Sequence, residues 1–332
     1  MLEKKEKYNI AIVGATGLVG RTFIKILEEY EFPINQLKLL ASQRSEGAKM
    51  GAFGKTHTVE VLNQDAFKDI DIALFSAGGE VSKNYAPYAA RAGALVIDNS
   101  SAWRMDKEIP LIVPEVNPFD LKLEGIISNP NCSTIQVVLP LKALDLAYGI
   151  NEVNYTTFQA VSGSGQKGID DLKRTQEGLD PEFYPYNISK TCIPQIDIFL
   201  DNDYTKEEMK MVYETQKILH KPSLPVSATC IRVPILNAHG VSVIVKLDQP
   251  FELSDVKMTL ARFDGIKILD HPQQSIYPVS TIATGNDFVY VGRIRRDLID
   301  PQKIIFYCVS DNIRKGAASN AVSIAKMAIE SL

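Results

Sequence analysis

Short apolar runs alternate with helical stretches along the first 150 residues. Tyr8–Val13 is a nearly continuous apolar run. It leads into a glycine turn, Gly14-Ala15-Thr16-Gly17-Leu18-Val19-Gly20, and then a helical pattern from Arg21 to Tyr30. Leu37–Ala41, Asp71–Phe75 and Ala94–Asp98 repeat the strand signature, Val59–Val61 is a shorter extended piece, and Val81–Ala92 reads as a helix despite Pro87. Short apolar strands separated by helices predict a doubly wound parallel sheet, an α/β domain of Rossmann-like type. Ile126-Ile127 is one more strand-like piece. It enters Ser128-Asn129-Pro130-Asn131-Cys132-Ser133-Thr134, and a helical run follows from Ile135 to Leu146.

Beyond residue 150 the pattern changes. Val153–Ala160, Thr229–Ile235, Val241–Leu247, Lys267–Leu269, Phe288–Ile294 and Ile304–Val309 read as strands. Clustered strands predict an α+β domain with a mostly antiparallel sheet, and an open sheet of that kind is a ready surface for dimerisation. Arg232 and His239 fall on or beside one expected hairpin. Thr205 opens a helix to about His220, with Glu208 completing an S/T-x-x-E capping box. Ser162–Gly168 is a glycine-rich loop, expected to be flexible. Thr175–Tyr204 has no period and contains Pro181, Pro185 and Pro194, so it reads as an irregular excursion and a candidate subunit contact. The last helix, Gly316–Ser331, carries an apolar stripe of Ala317, Ala321, Ile324, Ala325 and Ala328 and is expected to return to the first domain. The expected domains are therefore 1–131 with 312–332, binding a dinucleotide, and 132–311, for catalysis and dimerisation.

Composition narrows the class. The 332 residues are 45% hydrophobic and 23% charged, an ordinary globular balance for a chain of about two domains. A net charge of −4 leaves no electrostatic footprint for nucleic acid. Cys132, Cys192, Cys230 and Cys308 lie far apart without a CxxC pair, which fits a reducing compartment and argues against a zinc cluster or other metal site. The N-terminus, Met1–Lys7, is charged, and no apolar run approaches the roughly 18–20 residues of a membrane span. The expectation is a cytoplasmic protein with neither membrane nor nucleic acid as partner.

Strand, glycine turn and helix in that order suit a dinucleotide, whose pyrophosphate sits at the helix N-terminus. The same turn also serves to pack a helix on a strand. After the second strand stands Ser42-Gln43-Arg44-Ser45, where an acidic residue would hold NAD ribose. Arg44 can instead pair with a 2′-phosphate and Ser45 can donate to it, which points to NADP; a solvated loop is the alternative. Ser76-Ala77-Gly78-Gly79 is small enough to admit a nicotinamide. Arg104, just past a strand end, is an anion clamp or a surface ion pair. Cys132 sits on a turn at the mouth of a helix, where free N–H groups and the helix dipole favour a thiolate. Free cysteine is also among the most buried residue types, so an inert core residue is the other reading. Glu214 and Lys217 share a helix face, which alone means an exposed ion pair.

Several phrases occur in order over nearly the whole chain: GATGLVG (14–20), SAGG (76–79), DNSSAWR (98–104), PEVN (114–117), SNPNCST (128–134), QAVSGSG (159–165), Arg232-Val233-Pro234 with His239-Gly240, and DNIRKGAA (311–318). Together they resemble the aspartate-semialdehyde dehydrogenases. The resemblance implies a reversible NADP- and phosphate-dependent interconversion of aspartate 4-semialdehyde and 4-aspartyl phosphate. Its biosynthetic direction is reductive, towards lysine, threonine, methionine, isoleucine and diaminopimelate, and the enzyme is a homodimer or homotetramer. It also implies roles. Cys132 is the nucleophile that forms a thioester, His239 the acid/base, and Gln159 orients the substrate. Gly14, Thr16, Gly17, Leu18, Val19, Gly20, Arg44, Ser45, Ser76, Ser162, Gly163 and Asn312 face the cofactor. Arg104, Asn131, Glu214, Lys217 and Arg232 hold substrate and phosphate, with Arg232 on the α-carboxylate. N-acetyl-γ-glutamyl-phosphate reductase shares this chemistry on an acetylated substrate that needs no acidic partner for an amine. Glu214 and SNPNCST weigh towards the aspartyl enzyme. A non-catalytic NADP-binding protein on the same fold is the remaining alternative.

Overall fold

A computed structural model describes residues 1–332. The chain forms two compact units, residues 1–130 with 317–332, and residues 131–316.

The first unit begins with β1 (Tyr8–Val13), α1 (Leu18–Glu29) and β2 (Ile34–Ala41). It continues through β3 (Lys49–Ala52), β4 (Lys55–Val61), β5 (Ile72–Phe75), α2 (Gly79–Arg91), β6 (Leu95–Asp98) and β7 (Ile126–Ser128). The sheet order is β3-β4-β2-β1-β5-β6-β7. All pairs from β4 to β7 are parallel, and β3 closes one edge as an antiparallel hairpin with β4. The hairpin extends well beyond the short Val59–Val61 piece expected from the sequence. Both faces of the sheet are covered. Ile10 and Ile12 of β1 join a core with Phe23, Leu27 and the C-terminal helix Ser319–Glu330. Ala11 and Val13 join another, with Phe67, Phe75, Ala86 and Ala89. Successive side chains thus enter opposite cores, which is why these strands read as unbroken apolar runs.

The second unit contains α3 (Cys132–Tyr148), β8 (Ile150–Gln159), α4 (Gln166–Gln176), α5 (Lys206–Ile218), β9 (Val226–Arg232) and β10 (His239–Leu247). Then come α6 (Leu253–Arg262), β11 (Ile266–Ile268), β12 (Val289–Arg296) and β13 (Lys303–Ser310). The strand order is β11-β12-β13-β10-β8-β9. Three pairings are antiparallel, while β8–β9 and β11–β12 are parallel, so the sheet is mixed. The expected β9–β10 hairpin does not form, because β8 lies between the two strands. Residues 233–238 instead carry the chain past the end of β8, which brings Arg232 and His239 to either side of Gln159. Helix α3 packs on the sheet, α5 and α6, and its residues Ile135–Leu141 are all buried. Helix α4 was not visible in the sequence pattern; it follows a single 3-10 turn, Val161–Ser164, in the loop expected to be flexible. Before the C-terminal helix, Arg314–Ala318 form a π-helical turn, with the Gly316 N–H donating to the Asp311 carbonyl at 2.9 Å. No helix is long and apolar enough to cross a membrane.

Candidate active site

Cys132 is the first residue of α3 and is half-buried. Asn131 is the N-cap. Its Oδ1 accepts from the N–H groups of Ser133 (2.9 Å) and Thr134 (3.3 Å), satisfying two of the helix's orphan donors. The Asn131 Nδ2 donates to Glu207 Oε1 at 2.8 Å, and the Asn131 N–H donates to Glu214 Oε2 at 2.6 Å. A side chain cannot be added at Gly316, since a Cβ there would lie 2.9 Å from the Cys132 Cβ.

The C-terminal end of β8 gathers the remaining groups. Gln159 Nε2 donates to Ser133 Oγ (2.8 Å) and to Glu207 Oε1 (3.1 Å). Ala160 follows it and anchors two side chains. Its N–H donates to His239 Nδ1 at 3.0 Å, and its carbonyl accepts from Arg232 Nη1 at 2.6 Å. With Nδ1 accepting, the neutral imidazole carries its proton on Nε2. That atom is buried without a protein partner. Burial, then the positive charge of Arg232, pushes the His239 pKa down to about 3, so the ring is neutral at pH 7. Ala238, just before it, has φ +69°, and its N–H is held by Asn312 Oδ1 at 2.8 Å. Asn312 Nδ2 also donates to Ser162 Oγ at 3.0 Å. The backbone of Gly163 lies against Arg232 and His239; a Cβ there would sit 2.9 Å from Arg232 Nη1 and 3.0 Å from His239 Nε2.

Helix α5 supplies the acidic wall. Its capping box forms, with Thr205 and Glu208 each holding the other's N–H. Glu207 is buried, with its carboxylate between Asn131, Gln159 and Lys210, whose Nζ is 3.0 Å away. Burial alone would raise its pKa. The charge of Lys210 and the three hydrogen bonds outweigh it and hold the pKa down at about 2. Lys210 also reaches Asp197 at 3.0 Å. Burial works against its charge, but the two carboxylates keep its pKa above the ordinary lysine value.

The Thr175–Tyr204 excursion is tied to this site. Asp171, buried in α4, accepts from the N–H groups of Glu182, Phe183 and Tyr184. Ile193 and Arg232 exchange backbone hydrogen bonds at 2.9 and 2.8 Å. Ser164, Tyr184, Ile193, Gln195, Asp197 and Arg232 line a cleft of about 440 Å³.

In the first unit, Gly14 has φ +86°, and a Cβ on it would run into the Ser76 carbonyl at the end of β5. A second glycine, Gly20, packs on the Gly14 carbonyl. Leu18 and Val19 start α1 behind Gly17, an N-cap without a side-chain hydrogen bond, so the helix N-terminus presents its N–H groups. Thr16 Oγ1 lies 3.3 Å from Ser45 Oγ, joining the glycine loop to the one-turn 3-10 helix Gln43–Ser45. Arg44 in that turn is exposed. These residues fit a dinucleotide: a tight glycine loop against the end of β5 and an uncapped helix start. Arg104 is buried rather than a surface residue, and its Nη2 donates to the Asn99 carbonyl at 2.9 Å.

Two family models account for most of the chain: "Semialdehyde dehydrogenase, NAD binding domain" over residues 9–124, and "Semialdehyde dehydrogenase, dimerisation domain" over residues 141–315. The aspartate-semialdehyde dehydrogenase of Aquifex aeolicus is 48% identical over 97% of this chain and 98% of that protein. The chain belongs to the aspartate-semialdehyde dehydrogenase family. The Campylobacter jejuni aspartate-semialdehyde dehydrogenase is 45% identical, with 99% of each chain covered. The crystal structure of Vibrio cholerae aspartate-semialdehyde dehydrogenase II complexed with ASA superposes with a TM-score of 0.93, at 45% identity over 98% of this chain and 99% of that one. The Candida albicans enzyme with NADP superposes with a TM-score of 0.77, at 26% identity over 98% of this chain and 100% of that one. The protein is thus a phosphorylating oxidoreductase of aspartate-family amino-acid biosynthesis with an NAD(P)-binding domain.

The resemblance to the aspartate-semialdehyde dehydrogenases implies Glu214 and Lys217 on the substrate. The structure brings Glu207 to the side chains of Asn131 and Gln159, and Lys210 to Glu207. Glu214 is buried beneath the Asn131 backbone, and Lys217 is half-buried one turn further on. Both pairs have the same E-x-x-K spacing and lie seven residues apart, on one helix face. No signal in the chain alone separates them.

The buried pair His239 and Glu207 makes folding stability pH-dependent. Each has a depressed folded pKa, so the unfolded chain binds the extra proton. Stability should therefore fall as pH drops from about 6.5 towards 3 for His239, and from about 4.5 towards 2 for Glu207. The combined loss is on the order of several kcal/mol. Urea midpoints measured from pH 8 to pH 4 check this. In His239→Gln the loss between pH 6.5 and 5 should largely vanish; an unchanged profile would contradict the buried neutral imidazole.

Proposed function

We propose that this dehydrogenase interconverts aspartate 4-semialdehyde and 4-aspartyl phosphate through a thioester on Cys132, using NADP and working as a homodimer or homotetramer. The observation that carries it is the convergence at the end of β8. Gln159 ties the Cys132 turn to Glu207, while Ala160 ties His239 and Arg232 to the same point. Arg44 and Ser45 after β2, and the NADP named in the Candida albicans structure, support NADP. The ASA named in the Vibrio cholerae structure supports the substrate, and the matched dimerisation domain supports a homo-oligomer.

In the reductive direction the Cys132 thiolate attacks the acyl carbon, the bond to the phosphate oxygen breaks, and the departing phosphate takes up one proton from solvent water. Lys210 holds the phosphate, with Arg104 a further candidate from the family resemblance. Arg232 takes the α-carboxylate with its planar fork, and Glu207 faces the amine. The bound dinucleotide supplies the hydride that reduces the thioester. The oxyanion that follows is met by a hydrogen bond from the neutral His239 through Nε2–H. Its collapse releases the aldehyde and returns the thiolate, so His239 need not carry a net charge. The Asn131, Ser133 and Thr134 amides already have acceptors, whereas the His239 Nε2 has no protein partner and is open to an oxyanion.

The test is an absorbance assay at 340 nm with the purified chain. NADPH should form only when aspartate semialdehyde, phosphate and NADP are all present. NAD should be a poorer cofactor, and N-acetylglutamate semialdehyde should react at least about a hundredfold more slowly, because it lacks the amine that Glu207 meets. Equal rates on the acetylated aldehyde would overturn the substrate assignment.

A further inference from the structure

The residue before a helix has its own N–H to satisfy. In a capping box, a carboxylate or amide three residues into the same helix does so. In α3 that position is Thr134, whose hydroxyl points to the Met211 sulfur at 3.6 Å. The acceptor comes from elsewhere: Glu214, 1% exposed, takes the Asn131 N–H at 2.6 Å. Two turns back on α5, Glu207 takes the Asn131 Nδ2. With Oδ1 on Ser133 and Thr134 and the carbonyl accepting from Ile135, every hydrogen-bonding group of Asn131 is engaged. The next residue is Cys132, and the peptide joining the two sets where its sulfur points.

We propose that Glu214 is a positioning residue that completes the capping box of the nucleophile helix from a second helix, and thereby aims Cys132. The inference rests on Cys132 being the nucleophile. It assigns Glu214 a backbone partner in place of the substrate amine. A carboxylate suits the place because a charge-assisted bond to a backbone N–H is about twice as strong as a neutral one. A loosened N-cap would let the thiol drift, and a displacement of about 1 Å can cost on the order of a hundredfold in rate.

The experiment compares Glu214→Gln, Glu214→Ala and Cys132→Ala with the wild type. The readouts are kcat, both KM values and the alkylation rate of Cys132 by iodoacetamide. Glutamine keeps an acceptor of the same length, so its kcat should fall only roughly three- to tenfold. Alanine should lose on the order of a hundredfold, with slower alkylation. In both variants KM for semialdehyde and phosphate should stay within about twofold, since substrate binding is not touched. A raised semialdehyde KM with unchanged kcat would make Glu214 a substrate ligand and overturn the proposal, as would wild-type kcat in the glutamine variant. If the alanine variant does not fold, the glutamine variant decides by the same criteria. Turnover surviving in Cys132→Ala would defeat the thioester reading itself. A dead Cys132→Ala beside wild-type Glu214 variants would defeat only this inference.

Discussion

Cys132→Ala is expected to lower turnover by at least about four orders of magnitude while leaving NADPH binding within about twofold. The size follows from the role. Without the sulfur no covalent acyl intermediate forms, and hydride would have to reduce an acyl phosphate held only by hydrogen bonds. The change is otherwise small. Alanine keeps the Cβ that lies against Gly316, and the Asn131 cap on Ser133 and Thr134 uses no cysteine atom. The folded state should therefore persist, and a thermal melt would separate lost chemistry from lost structure. The dinucleotide loop, Gly14–Gly20, belongs to the other unit and is covalently untouched. Titration of nucleotide fluorescence checks the binding half of the prediction, and the 340 nm assay checks the rate. Turnover near the wild-type level would refute the thioester.

Glu207→Ala is expected to lower kcat/KM on aspartate semialdehyde by about a thousandfold, mainly by raising KM, and to lower stability as well. The carboxylate receives hydrogen bonds from Asn131, Gln159 and Lys210. Breaking a buried ion pair by removing one partner typically costs about 3–5 kcal/mol, because the other charge stays buried without compensation. On the proposed role of Glu207, part of that cost should appear in folding and part in weaker binding of the substrate amine. Glu207→Gln preserves shape and one acceptor, so it should lose less, about ten- to a hundredfold, and recover most of the stability. Urea midpoints and steady-state kinetics on both variants test this. The contrast with Glu214 is diagnostic: Glu207 should move KM, and Glu214 only kcat. A Glu207→Ala enzyme with unchanged KM would remove Glu207 from the substrate.

Much of the fold was legible from short-range pattern. Ile10 and Ile12 face one core and Ala11 and Val13 the other, so a buried parallel strand leaves an apolar run that can be read without coordinates. The Thr205–Glu208 box marked the start of α5 because capping is a four-residue interaction. The glycine loop and SNPNCST were legible for the same reason, since each does its work within one turn. Helix α4 leaves little pattern in the sequence because it follows Gly163 and Gly165 and carries only two apolar side chains, Ile169 and Leu172.

The sequence by itself determined the family, the alternation of strands and helices in the first unit apart from the β3–β4 hairpin, and a cysteine at the mouth of a helix. These rest on periodicity and on contacts between near neighbours. Only the tertiary structure decided that β8 separates β9 from β10, that one peptide, Ala160, orients both Arg232 and His239, and that the excursion from Thr175 is pinned at Ile193 beside Arg232. It also decided that Glu207 meets the Asn131 side chain and Glu214 its backbone. Helical spacing puts both on one face, but which carboxylate meets a side chain and which meets a backbone depends on where α3 crosses α5. That crossing is set by packing between residues some 80 positions apart, beyond the reach of any local pattern.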